Sequence, residues 1–126
     1  MLIVDTDILI DAGRKISQAV QYLEQAEAES GLAVSAITQM ELLVGARDKQ
    51  AQIVVERFLL RFTVVKLNPG ITDIACELLL QYRLSHGLAI PDALIAATAI
   101  TTTYPFVTKN QKDFKFIKGL TLRADP

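Results

Sequence analysis

At 126 residues, with 51% apolar and 21% charged positions, the chain has the makings of one globular domain with its own core, which excludes a disordered tail or a fibrous repeat. The net charge of −1 argues weakly against a nucleic-acid partner. Setting aside Asp5, Glu41, Asp92 and Asp113, however, leaves ten acidic residues against 13 basic ones, so the rest of the chain is mildly basic. With one cysteine, no apolar run of bilayer length and no basic leader, a cytoplasmic protein outside the membrane is expected.

The chain opens on Leu2-Ile3-Val4, an apolar run without polar alternation that reads as a fully buried strand ending at Asp5. Helical spacing of Ala19, Val20, Leu23 and Ala26 predicts a helix over 16–28, with Gly31 beyond its end. Leu32-Ala33-Val34 is the second strand, and Ser35 is a good N-cap for a helix over 35–46 that carries Glu41 and closes near Gly45. A helix over 51–62, a strand over 63–67 and a turn at Asn68-Pro69-Gly70 follow. The next helix runs over 71–84 and stops near His86-Gly87. Pro91 and Asp92 open a helix over 93–101, Pro105 leads into a strand over 106–108, and a short strand closes the chain at 121–123. Strands alternating with helices imply a parallel sheet covered on both faces, with function gathered at the carboxyl ends of the strands.

Four carboxylates stand where apolar segments stop or turn. Glu41 shares a helical stripe with Ile37, Met40 and Val44, so it intrudes on the side expected to pack inward; the plain alternative is an edge residue reaching water. Asp5 ends a buried strand and would equally cap a following helix. Asp92 fits ordinary dipole compensation in a first turn, and Asp113 sits in a lysine-rich loop. Asp7 and Asp11 read as cap and surface residues, although Asp7 is placed to touch a metal through water. Lys109 and Lys112 are candidates for steering phosphates. The single histidine, His86, is explained by a helix C-terminus, and Cys76 falls among Ile71, Ile74, Ala75, Leu78 and Leu79 as a core thiol. With one histidine and one cysteine, neither a Ser-His-Asp site nor a zinc cluster is supported, and neither a Walker nor a Gly-x-Gly-x-x-Gly loop is present. Carboxylates that meet in an apolar setting must take up protons or a cation, and oxygen-only ligation points to Mg²⁺ or Mn²⁺.

Four segments carry a resemblance that covers nearly the whole chain: Ile3-Val4-Asp5-Thr6-Asp7; Ser35-Ala36-Ile37-Thr38-Gln39-Met40-Glu41-Leu42; Gly87 through Pro91-Asp92-Ala93-Leu94-Ile95-Ala96-Ala97; and Val107-Thr108-Lys109-Asn110 with Asp113-Phe114. In order and spacing the chain resembles the PIN-domain ribonucleases, and more narrowly the VapC-like toxins of toxin–antitoxin pairs. The resemblance implies a three-layer α/β/α PIN-like domain over residues 1–126, with a central parallel sheet of four or five strands. It implies Asp5, Glu41 and Asp92 as core acids that hold Mg²⁺ or Mn²⁺, with Asp113, or Asn110 in its place, as the fourth ligand. Thr6 and Thr108 become the hydroxyl residues beside them. It further implies an RNA substrate cut to leave a 3′-hydroxyl and a 5′-phosphate, a homodimer, and a cognate antitoxin that obstructs the site. The link 101–105 departs from the family in lacking a glycine often found there. Two other readings remain: a catalytically idle PIN-like interaction module, and a haloacid-dehalogenase-type phosphatase suggested by Val4-Asp5-Thr6-Asp7, for which the chain is short.

Overall fold

Period-two alternation along three buried strands divides the interior into two cores. A computed structural model describes residues 1–126. Leu2 and Val4 of β1 (Leu2–Val4), Leu32 and Val34 of β2 (Leu32–Ser35) and Val107 of β4 (Phe106–Val107) join one apolar cluster. Ile3, Ala33 and Phe106, one step out of phase on the same strands, join the other. Helices α1 (Thr6–Gly13) and α2 (Ser17–Glu29) supply Ile8, Leu9, Ala19 and Leu23 to the first cluster. Helices α5 (Pro69–His86) and α6 (Ile90–Thr102) cover the other face through Ile71, Ala75, Leu78, Ile95 and Ala96. Helices α3 (Ala36–Gly45) and α4 (Lys49–Leu59) lie between β2 and β3 (Thr63–Val65), and β5 (Leu122–Arg123) ends the chain.

All pairings are parallel, in the order β3-β2-β1-β4-β5. The chain therefore moves outward from β1 to β3, then returns through α5 and α6 to lay β4 on the other side of β1. That reversal makes the carboxyl ends of β1 and β4 the switch point of the sheet, where a crevice opens in folds of this kind. Register pairs Ile3 with Phe106 and Val4 with Val107, and one further bond, from Asp5 N to the Val107 carbonyl at 3.0 Å, sets Asp5 beside Thr108. No helix is long and apolar enough to cross a membrane.

The layered parallel architecture and five strand positions agree with the sequence reading, and three local expectations are corrected. The segment after Asp5 forms α1, a helix not assigned from sequence: Ile8, Leu9 and Ala12 face the core, while Asp7 and Asp11 lie one turn apart on its polar side. Asn68-Pro69-Gly70 is the start of α5 rather than a free turn, because Asn68 Oδ1 accepts from Ile71 N at 2.9 Å and Pro69 takes the first helical position. Cys76 is exposed, not a core thiol. Ile71, Ala75, Leu78 and Tyr82 define the buried stripe of α5, and Cys76 stands one position off it, in a surface groove with Leu80, Ile90 and Pro91.

Candidate active site

Asp5 is the most enclosed acid, only 7% exposed at the end of β1. It caps α1 through Oδ1, which accepts from Thr6 N at 2.8 Å, and its Oδ2 accepts from the Thr108 hydroxyl at 2.6 Å. Burial pushes its pKa up to about 6; the Thr108 bond opposes the shift, and the charges of Asp7 and Asp92 add to it. Thr108 is fully buried after β4. Its hydroxyl has one proton to give, and the shorter contact assigns it to Asp5 rather than to Asp7 Oδ2 at 3.2 Å. The same oxygen accepts from Asn110 N at 3.1 Å, which shapes the loop beyond the strand.

Asp7 ties this loop down. Its Oδ2 accepts from Lys109 N at 3.0 Å, and its Oδ1 accepts from Ile8 N at 2.7 Å. The pattern Asp5-Thr6-Asp7 held this information: two residues apart at a helix start, both acids are aimed back at the strand ends. The sequence reading gave Asp7 a cap or surface role and a reach to a metal through water, but not this hold on the loop.

Glu41 approaches from α3. Its Oε1 accepts from the Thr6 hydroxyl at 2.8 Å. Thr6 Oγ1 lies 3.1 Å from Thr38 Oγ1, which lies 3.3 Å from Ser35 Oγ. A relay of donors from Ser35 through Thr38 and Thr6 to the carboxylate gives every hydroxyl a partner, and Ser35 still accepts from Thr38 N to cap the helix. Ser35 and Thr38, both buried, thus support the site; their one-turn spacing was the only signal of it. Of the stripe expected to pack inward, only Ile37 reaches the core, and that in part; Met40, Glu41 and Val44 are exposed. The stripe lines an open groove with Pro91, while Ala36 and Thr38 form the fully buried side of α3.

Asp92 lies half-buried in the first turn of α6. Burial raises its pKa, and the charges of Asp113, Glu41 and Asp7 raise it further. Asp113 is exposed on a single 3₁₀ turn, Gln111–Asp113, anchored by Gln111 Nε2 bonds to the Thr108 and Arg123 carbonyls at 2.7 and 3.0 Å. The five acids share one electrostatic field, yet no three His, Cys, Asp or Glu side chains converge closely enough to hold an ion directly. Nor does a protein cation neutralise them: the only ion pairs are Arg61 with Glu27 and Lys109 with Asp11, the latter at 2.6 Å. Lys109 is thereby drawn toward Asp11, whereas Lys112 lines a pocket with Asp92 and Asp113.

The chain matches the model of the PIN domain over residues 2–120. It is 32% identical to ribonuclease VapC10 of Mycobacterium tuberculosis over 121 residues, covering 95% of this chain and 90% of the relative. A toxin–antitoxin complex from Klebsiella pneumoniae contains a chain that is 33% identical, with 95% of each covered and a TM-score of 0.81. The VapBC2 complex of Rickettsia felis, bound to a promoter DNA fragment, superposes with a TM-score of 0.87 at 28% identity, covering 99% of this chain and 98% of that one. A parallel five-stranded sheet, acids gathered at its switch point and this agreement over nearly the full length lead to one conclusion: the chain belongs to the PIN-domain family.

Proposed function

We propose that this chain is a Mg²⁺- or Mn²⁺-dependent endoribonuclease, the toxin of a toxin–antitoxin pair, acting on RNA in the cytoplasm. The observation that carries the reading is a field of carboxylates with raised pKa values at Asp5 and Asp92 and no protein cation to offset it. Such a field favours a hard divalent ion, and its donors are all oxygen. The lack of a three-carboxylate cage fits Mg²⁺, which takes one or two carboxylates directly and keeps several waters. Asp5 and Asp92 are the residues that would hold the ion, with Glu41 and Asp113 engaging its waters.

When bound, the ion lowers the pKa of a water and offsets charge on the phosphoryl oxygens. Glu41, with Oε1 held by Thr6, keeps its second oxygen free to accept a proton from the attacking water. Thr108 and Thr6 fix the orientation of Asp5 by donating to both of its oxygens. Lys112 offers its ammonium to a substrate phosphate. Water as nucleophile leaves a 3′-hydroxyl and a 5′-phosphate, whereas attack by the neighbouring 2′-hydroxyl would not. The test is RNA cleavage by the purified chain in Mg²⁺ and in chelator, with end analysis of the fragments. Cleavage that persists unchanged in chelator sinks the metal reading.

Resemblance to chains found in toxin–antitoxin and VapBC complexes supports a cognate antitoxin as partner. A homodimer is supported by an apolar strip beside the site. Met40 and Val44 of α3 adjoin Pro91, which also walls the groove of Leu80 and Ile90, and Leu84 is fully exposed one turn from Leu80. PIN membership leaves the phosphatase reading without support; the idle module is separated from the nuclease by the cleavage assay.

A further inference from the structure

Beside the acids lies a pocket of about 200 Å³ walled by His86, Asp92, Lys112, Asp113 and Phe116. Two of these side chains form a stack: the His86 and Phe116 rings lie 4.1 Å apart, centroid to centroid, with planes 18° from parallel. Tyr82 braces both, at 5.8 Å from His86 and 5.2 Å from Phe116. Tyr82 is itself buried in the α5–α6 core, and its hydroxyl accepts from Lys118 N at 3.2 Å. The imidazole is held in orientation by Ser85 Oγ, 2.7 Å from Nδ1. The adjoining link is stiffened by Arg83, which donates to the Gly87 and Leu88 carbonyls at 3.1 and 3.3 Å. A helix C-terminus accounts for a basic residue at position 86, but not for a rigid, exposed ring stacked at the mouth of an acidic pocket.

Resting on the ribonuclease reading, we infer that His86 and Phe116 are a stacking platform for one unpaired base of the RNA, making His86 a substrate-positioning residue. The residue is exposed, and a base laid on its imidazole extends the Phe116–His86 stack by one ring. Lys112, in the same pocket and outside any ion pair, meets the phosphate of that nucleotide, and its place beside Asp92 and Asp113 puts that phosphate next to the acids. A base inside a duplex cannot present its face in this way, so the platform selects a splayed, single-stranded nucleotide.

The test is equilibrium binding of the full chain, with Ca²⁺ in place of Mg²⁺ to offset the acids and slow hydrolysis, to three probes: single-stranded octaadenylate, an abasic ribose–phosphate octamer and a short RNA duplex. His86→Ala is expected to weaken octaadenylate binding about tenfold. It should leave the abasic strand, the duplex and the melting temperature unchanged, and His86→Phe should restore binding. Phe116→Leu, which keeps apolar bulk under the imidazole, should weaken the same probe alone. The platform is overturned if the wild-type chain does not bind octaadenylate, if His86→Ala binds it as tightly as wild type, or if the abasic strand loses as much. The two readings fail separately. Asp5-dependent cleavage with an indifferent His86→Ala leaves the ribonuclease and removes the platform; His86-dependent binding of octaadenylate without any cleavage does the reverse.

Discussion

Asp5 and Asp113 carry the same group into the same field from opposite settings. Asp5 closes a buried strand, is bonded at both oxygens, and sits in a sheet whose register leaves it no other position. Asp113 is exposed on one 3₁₀ turn held by two bonds from Gln111 and by the buried ring of Phe114 that follows it. One half of the site is set by the core of the fold, and the other by a loop. A rigid acid and a loop-borne one suit the proposed ion, which would have to be held while a bulky substrate enters and leaves. The largest expected effect follows: Asp5→Asn should lower RNA cleavage about 10²–10³-fold, the range for losing one preorganised electrostatic contact to a transition state. Asp113→Asn should cost about tenfold, since water can take its place. Initial rates in saturating Mg²⁺ decide it, and equal losses would erase the distinction between the halves.

The buried half should also destabilise the metal-free chain. The folded pKa of Asp5, about 6, lies above its ordinary value of 3.8. Folding therefore retains a proton that the unfolded chain releases between those values, so this contribution to stability is complete below pH 3.8 and lost as pH rises through 6. Asp92, also raised, acts in the same direction. That rise corresponds to about 3 kcal/mol. In chelator, the Asp5→Asn protein should melt several degrees above wild type at pH 7.5, with the gap narrowing as pH falls through 6 and closing only below 3.8; added Mg²⁺ should raise wild type alone. A gap independent of pH would show that Asp5 is not the titrating group.

Thr108 joins the halves, since it donates to Asp5 and accepts from Asn110 N at the base of the loop. Thr108→Val keeps the shape but leaves both partners unpaired, so Mg²⁺ affinity should fall about 10–100-fold. Thr108→Ser should retain affinity within a few-fold. Isothermal calorimetry reads this directly, and an unaltered Val variant would mean that Asp5 is oriented by its backbone alone.

The same division marks what the sequence revealed. Leu2-Ile3-Val4, Leu32-Ala33-Val34 and Phe106-Val107 are short, wholly apolar and bounded by polar residues, so the strands, the parallel class and the acid that ends the first were legible. Helix α1 was not, because eight residues carrying two acids resemble a loop until Ile8, Leu9 and Ala12 are seen on one side. Glu41 and Cys76 show a second limit. Periodicity identifies an apolar stripe, but α3 and α5 carry apolar residues on more than one side, and only the packed neighbours determine which side is covered. The hydroxyl relay from Ser35 to Glu41 joins residues of two helices, a relation no local pattern contains.

The two ends of the α5–α6 hairpin supply the smallest test. Helix α5 ends at Gly87 with φ of +71°, where the absence of a Cβ makes the left-handed turn free of strain. Helix α6 ends in the same conformation, φ +60°, at β-branched Thr103, the link where the sequence lacks the family's glycine. A left-handed residue with a Cβ costs about 1–2 kcal/mol, and part of that is recovered by the Thr103 hydroxyl, which donates to the Thr102 carbonyl at 2.6 Å. Thr103→Gly relieves the strain, loses this bond, and adds about 0.5–1 kcal/mol of unfolded-state entropy. A net gain of about 0.5 kcal/mol is expected, read as a rise of one or two degrees in melting temperature with cleavage unchanged. Thr103→Ala, which keeps the Cβ and loses the hydroxyl, should melt below wild type. If Gly also melts lower, the hydroxyl outweighs the strain, and this chain has dispensed with the glycine by bonding the turn through its own side chain.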